Sequence, residues 1–124
     1  MNELGLLLLL GAFQIKHVLG DYVLQSRYIL DHRRIWGHGG GLLHVAIHAA
    51  LTLPILLVAH VSLPLLLAIM LGEAVFHYHL DWVKDGWTLR MGWTPRDKQF
   101  WWLNGVDQAL HQISYLVIVW LISG

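Results

Sequence analysis

The sequence contains no cysteine and little charge, and both absences narrow the classes of protein to which it can belong. Without cysteine there are no disulfides and no thiolate ligands for a metal. Charged residues make up only 13% of the 124 residues, against about 25% in soluble domains. Basic and acidic residues number eight each, so the formal net charge is zero. We therefore expect no nucleic-acid partner, because nucleic-acid binders need a basic surface.

Long apolar segments are present where charge is scarce. Hydrophobic residues make up 56% of the chain, and the mean hydropathy is +0.55. Four segments are each about 17–23 residues long, which is enough to cross about 30 Å of hydrocarbon as helices. We predict a single all-α transmembrane domain over residues 1–124, an integral membrane four-helix bundle with a polar His/Asp interior. The predicted helices cover about residues 4–27, 42–59, 63–84 and 98–122.

Basic residues lie at one end of the predicted bundle. Seven of the eight lysines and arginines are in or beside the first and third connections, whereas the second connection and both termini carry none. Positively charged connections usually remain in the cytoplasm. We therefore predict a multi-pass protein of a cytoplasmic membrane with both termini extracytoplasmic.

Each predicted helix carries one polar stripe that does not suit contact with lipid. Within each stripe, two side chains four residues apart lie one turn apart on the same face. These pairs are His17/Asp21, His44/His48, His77/Asp81 and Asp107/His111. Helices one and three carry their pair late and helices two and four carry theirs early, so all four pairs have similar depths. Since ionisable groups in a bilayer usually face the bundle interior, the stripes predict one shared site.

The eight paired residues are all of metal-ligand type. Two divalent cations with a bridging hydroxide would balance the three aspartates, and facing helices hold two-metal sites in other bundles. Imidazole and carboxylate ligands favour Zn, with Fe or Mn as alternatives. Glu73 lies one turn from His77 and is the candidate general base, although a role as an extra ligand or as a ligand-orienting group stays open. Gln25, Asn104 and Gln108 are candidates for orienting a substrate.

Metal-free interpretations of the same stripes also stay open. Histidines and aspartates can join helices through hydrogen bonds alone, or form a proton or ion pathway. His79 is on a different face from His77, so we predict packing contacts for it. Lys16 points about 100° away from His17 on the helix, so it either reaches the interface or pairs with a carboxylate.

Four stretches of the chain carry a resemblance to a known family. They are KHVLGDYVLQ at residues 16–25, GLLHVAIH at 41–48, EAVFHYHLDW at 73–82 and GVDQALHQ at 105–112. Together they resemble the DUF3307 family of small bacterial membrane proteins of unknown function, over nearly the whole chain. The resemblance implies a bacterial inner-membrane location. More loosely, the pattern resembles bacterial inner-membrane proteins described as metal-dependent hydrolases.

The predicted function is that of a dinuclear metal-dependent hydrolase, in which the eight paired residues hold the ions. It would act on an amphiphilic substrate such as a membrane lipid from the cytoplasmic leaflet. The alternative is non-catalytic: a metal-binding or metal-transport module, or a structural subunit of a homo-oligomer or membrane complex. Transport is disfavoured, because the far half of the predicted bundle offers few polar residues.

Overall fold

The structure, a computed structural model, describes residues 1–124 and contains helices but no strands. The predicted all-α fold class is therefore confirmed. The elements are α1 (Glu3–Val18), a π-helical continuation (Leu19–Val23), α2 (Arg27–His32), α3 (Gly39–Val58), α4 (Leu63–Met91) and α5 (Lys98–Ser123). Four helices are long and apolar enough to cross a membrane, namely Glu3–Val23, Gly39–Val58, Leu63–Met91 and Lys98–Ser123.

The largest differences from the predicted bounds are at the ends of the first and third predicted helices, and both have local reasons. The first predicted helix stops at Val23, and the chain restarts as α2, where the Ser26 hydroxyl accepts a hydrogen bond from the Ile29 amide. Helix α4 continues through charged residues to Met91, where Gly92 ends it in the left-handed conformation that glycine tolerates. Hydropathy alone marks where a helix leaves the apolar layer and not where its backbone hydrogen bonds stop.

The spanning helices form a closed ring. Helix α4 packs against α3 and α5, and α1 packs against the same two helices from the opposite side, while α2 lies against α3. Large apolar side chains on the outer faces are exposed along every spanning helix, as contact with lipid requires. A buried apolar cluster closes the end of the bundle away from the basic connections: Leu9, Phe13, Leu56, Leu66, Ile69, Tyr115, Ile118 and Val119.

The π-helical turn shapes the first helix next to the polar interior. Its defining bond runs from the Leu24 amide to the Leu19 carbonyl, at 2.8 Å and five residues apart. Such turns accommodate one extra residue and are frequent at functional sites. Gly20 lies in this turn, and a Cβ atom there would overlap the His48 ring. The close approach of α1 to α3 therefore requires glycine at this position.

Candidate metal centre

Six of the eight predicted ligands converge in the bundle interior. They form two groups whose ligand atoms all lie within 4.8 Å of one another, and each group could hold a metal ion. The first group is Asp21, His44, His48 and His77, and the second is His77, Asp81 and His111. Every member is buried, and all four spanning helices contribute. The matched depth of the stripes therefore does bring these side chains together.

In the first group, three imidazoles point at one carboxylate oxygen. Asp21 Oδ1 lies 2.8 Å from His48 Nε2 and 3.3 Å from His44 Nε2. The Nε2 atoms of His44 and His77 are 3.2 Å apart, so at least one of them carries no proton. Ligands bound at about 2.0–2.1 Å around a tetrahedral ion are about 3.3–3.4 Å apart. The spacing of these nitrogen and oxygen atoms therefore suits a shared cation.

The second group presents a histidine nitrogen that has no partner within the protein. His111 Nδ1 donates to the Asp107 carbonyl at 2.8 Å, whereas its Nε2 is buried and unpaired. A backbone acceptor of this kind orients a metal-binding imidazole. Asp81 Oδ2 lies 3.0 Å from His77 Nε2 and 3.1 Å from His44 Nε2, yet forms no well-aligned hydrogen bond. The second group thus contains two acceptor atoms that the protein itself leaves unsatisfied.

His17 lies beside the first group and outside it. Its Nε2 donates to Gln108 Oε1 at 2.6 Å, and its Nδ1 is 2.8 Å from the Tyr115 hydroxyl. The Gln108 amide is oriented by its NH₂ group, which donates to Asp107 Oδ2 at 3.0 Å. Both ring nitrogens of His17 are therefore engaged. Since its Nε2 is also 3.3 Å from Asp21 Oδ2, the ring is placed to orient that ligand.

Asp107 is also next to the two groups and not part of either. Its Oδ2 accepts from Gln108 and lies 3.3 Å from Lys84 Nζ. Its Oδ1 is buried without a partner, 3.7 Å from His111 Nδ1. The carboxylate of Asp107 therefore neutralises Lys84, whereas its backbone carbonyl accepts from the His111 ring.

Glu73 contacts a lysine and not the convergent histidines. Its Oε1 forms an ion pair with Lys16, and its Oε2 accepts from the Thr52 hydroxyl at 2.8 Å. Lys16 is only 2% exposed, and its Nζ is also 3.4 Å from the Tyr115 hydroxyl. Both carboxylate oxygens of Glu73 therefore have donors, which favours a helix-joining role over the predicted base. Lys16 was predicted either to reach the membrane interface or to pair with a carboxylate, and in the structure it pairs with Glu73.

The predicted substrate-orienting residues separate in the structure. Gln108 orients His17, whereas Gln25 accepts from Arg33 Nη1 at 2.6 Å through its side-chain oxygen. Arg33 also forms an ion pair with Asp85. Burial disfavours its charged form, but the charges of Asp81 and Asp85 outweigh this and raise the pKa of Arg33 above its ordinary value. Asn104 lines a cavity at the basic end of the bundle.

Two groups of residues were absent from the predicted site. One is the set around Lys16, with Thr52 and Tyr115. Its signals in the sequence were a lysine within an apolar segment and the positions of Thr52 and Tyr115, each four residues after a predicted ligand histidine. The other is Arg33 with Asp85, which belong to segments assigned to connections. His79 stays outside both metal groups: it lies on an exposed face, where Trp36 Nε1 donates to its Nε2 at 3.2 Å.

Fold and site together define a helical protein with four potential membrane spans and a buried histidine–aspartate cluster that could bind metal. A family model described as protein of unknown function, DUF3307, matches residues 7–124. The chain therefore belongs to this family, which confirms the resemblance. No curated protein and no solved structure matches the chain.

Proposed function

We propose that this protein is a metal-dependent hydrolase of the bacterial inner membrane, acting on an amphiphilic substrate from the cytoplasmic leaflet. Its centre would contain two divalent ions, with zinc favoured by the ligand types and Fe or Mn as the alternatives. The observation that carries the proposal is the convergence of six buried ligands in two adjoining groups. Because one imidazole nitrogen binds one ion, His77 serves only one of the groups.

The six ligands divide evenly between two ions. Asp21, His44 and His48 would hold one ion, and the second would be held by His77, Asp81 and His111. Each carboxylate also reaches towards the other set, since Asp21 Oδ1 is 3.5 Å from His77 Nε2 and Asp81 Oδ2 is 3.1 Å from His44 Nε2. Three protein ligands for each ion leave a coordination position open, as in catalytic sites and unlike closed structural ones.

Charge balance supports an anionic or ester substrate. Two divalent ions bring four positive charges, and Asp21 and Asp81 bring two negative charges. The charge of Asp107 is left out of this sum because Lys84 neutralises it. The excess positive charge in a water-poor interior attracts anionic groups. When bound, such ions polarise an ester or phosphoester and make water nucleophilic at neutral pH. The protein's own part is to keep the ligands oriented, through His17 on Asp21 and the Asp107 carbonyl on His111.

A non-catalytic histidine–aspartate network is the second candidate. The Nδ1 atoms of His44 and His48 are buried without a partner. A metal-binding imidazole usually donates its other N–H to an acceptor, which these two rings do not do. Metal transport has less support, because the apolar cluster around Phe13 and Leu56 closes the bundle beyond the Lys16–Glu73 pair.

Elemental analysis tests the proposal. Protein purified in mild detergent without added metal should contain about two equivalents of a divalent ion. Asp81→Ala should lose metal, because it removes a ligand and leaves His77 without its carboxylate. His79→Ala is the matched control on the same helix and should keep the parental content. Equal metal content in the Asp81→Ala variant and the parent would contradict the assignment. A fully metallated parent that cleaves no amphiphilic ester or phosphoester would favour the second candidate.

A further inference from the structure

A cavity of about 370 Å³ lies at the basic end of the bundle, between α2, α4 and α5. Three of its lining side chains are cationic, Arg33, Arg34 and Lys84, and one is anionic, Asp85. Arg33 pairs with Asp85 and Lys84 pairs with Asp107, so Arg34 is the cation of the lining that no carboxylate opposes.

The cavity continues the polar stripes that form the candidate metal centre. On α4, Lys84 and Asp85 follow Asp81 by three and four residues, so they lie one turn further along the same side of the helix. On α5, Asn104 precedes Asp107 by three residues. Lys84 Nζ is 3.3 Å from Asp107 Oδ2, and the Asp107 carbonyl accepts from the His111 ring. Lys84 and Asp107 therefore connect the cavity wall to a candidate ligand.

Several donors in the cavity wall remain available to a ligand. The Arg34 guanidinium uses Nη1 to donate to the Asp31 carbonyl at 2.7 Å, and its other N–H groups have no partner within the chain. The Asn104 side chain makes no hydrogen bond within the chain, and Lys84 Nζ has three N–H groups, of which one donates to Asp107 Oδ2. Guanidinium, ammonium and amide donors in one place suit an oxyanion with several acceptor oxygens.

The rest of the lining is apolar. Leu30, Leu89 and Phe100 border the same cavity as the cations. A small inorganic anion would leave these surfaces bare, whereas an amphiphile would cover them with its hydrocarbon part. The combination of cationic and apolar walls is what a lipid-like phosphate ester would require.

We propose that this cavity binds the phosphate group of an amphiphilic substrate next to the metal centre. This inference rests on the proposed hydrolase function and names its substrate class. Arg34 and Asn104 are binding residues here, and Lys84 joins the bound anion to Asp107, whose carbonyl accepts from the His111 ring. Inorganic phosphate shares the anionic chemistry, and the test separates it from a lipid phosphate.

Titration calorimetry in maltoside micelles, which contain no phosphate, measures this binding. The probes are dihexanoyl phosphatidic acid and inorganic phosphate, each titrated into the metal-loaded protein. We expect the phosphatidic acid to bind, and Arg34→Gln and Asn104→Ala each to weaken it, the former by about 10-fold or more. Arg96→Gln is the matched control, because Arg96 is exposed on the same side of the protein but does not line the cavity. Helical content and metal content of every variant are measured in parallel.

A second titration, after removal of metal by a chelator, separates this proposal from the hydrolase proposal. One outcome is that Arg34→Gln weakens the binding of phosphatidic acid in both the metal-loaded and the metal-free protein. That result supports the cavity proposal even if no hydrolysis is found. Binding of inorganic phosphate alone, weakened by the same variants, supports the anion site but overturns the amphiphile. If the parent and both cavity variants bind equally, or if the parent binds neither probe, the cavity proposal fails whatever the metal content.

Discussion

At the scale of single residues, the site depends on a glycine, Gly20, as well as on its ligands. Gly20 lies under the His48 ring, and all three atoms that a Cβ there would approach most closely belong to that ring. His48 in turn places its Nε2 2.8 Å from Asp21 Oδ1. A methyl group at position 20 would therefore push a candidate ligand away from its partner.

We predict that Gly20→Ala lowers the free energy of unfolding by about 1–3 kcal/mol, as overpacking does, and lowers the metal content. The measurements are thermal denaturation in detergent and elemental analysis. Gly11→Ala is the control on the same helix, since a Cβ there meets nothing within 4 Å. It should leave both quantities unchanged or raise stability slightly. Identical behaviour of the two variants would contradict the close-packing argument.

At the scale of the helices, the buried pair of Lys16 and Glu73 joins α1 to α4. Both side chains are nearly inaccessible, and Thr52 from α3 and Tyr115 from α5 contact the same pair. All four spanning helices therefore meet at this level, between the metal centre and the apolar cluster. Removing one partner of a buried ion pair is costlier than removing both, because the remaining charge has no counterpart.

We predict that Lys16→Met and Glu73→Gln each lower the free energy of unfolding by about 3–5 kcal/mol. The double variant should recover most of this loss, because neither charge then remains unpaired. Thermal denaturation of all four proteins in one detergent forms the cycle. Additive losses in the double variant would show that the two residues act independently.

The same double variant tests the role of Glu73 in catalysis. If Glu73 only joins helices, the double variant should keep parental turnover once its stability has recovered. A general base would instead show a loss of about 10²–10⁴-fold at parental metal content. Turnover and metal stoichiometry are measured side by side, so that a loss of ions is not mistaken for a loss of the base.

At the scale of the whole molecule, the distribution of charge sets the predicted orientation in the membrane. Because the chain has no cysteine, single cysteines can be introduced without removing native ones. We predict that Gly124→Cys reacts with a membrane-impermeant thiol reagent in intact spheroplasts, whereas Thr94→Cys reacts only after lysis. The reverse pattern would overturn the orientation and would place the cationic cavity at the opposite membrane surface.

Local patterns in the sequence were enough to predict the four apolar helices and the polar face of each. Helix length follows from runs of apolar residues, and the shared face of His44 and His48 follows from a four-residue spacing. The sequence also contains the matched depth of the stripes, because depth is counted along each helix. It could not show that α4 runs on to Met91, since hydropathy falls before the helical hydrogen bonds end.

Only the tertiary structure decided which predicted ligands converge and which support them. His17 and His111 look equivalent along the sequence, yet partners from α5 engage both nitrogens of His17, whereas His111 keeps Nε2 free. Likewise, Lys16 and Glu73 are 57 residues apart, and their pairing depends on how α1 is rotated against α4. The helical repeat sets which face a side chain is on, but its contacts depend on the rotation and spacing of neighbouring helices, which arise only when the bundle packs.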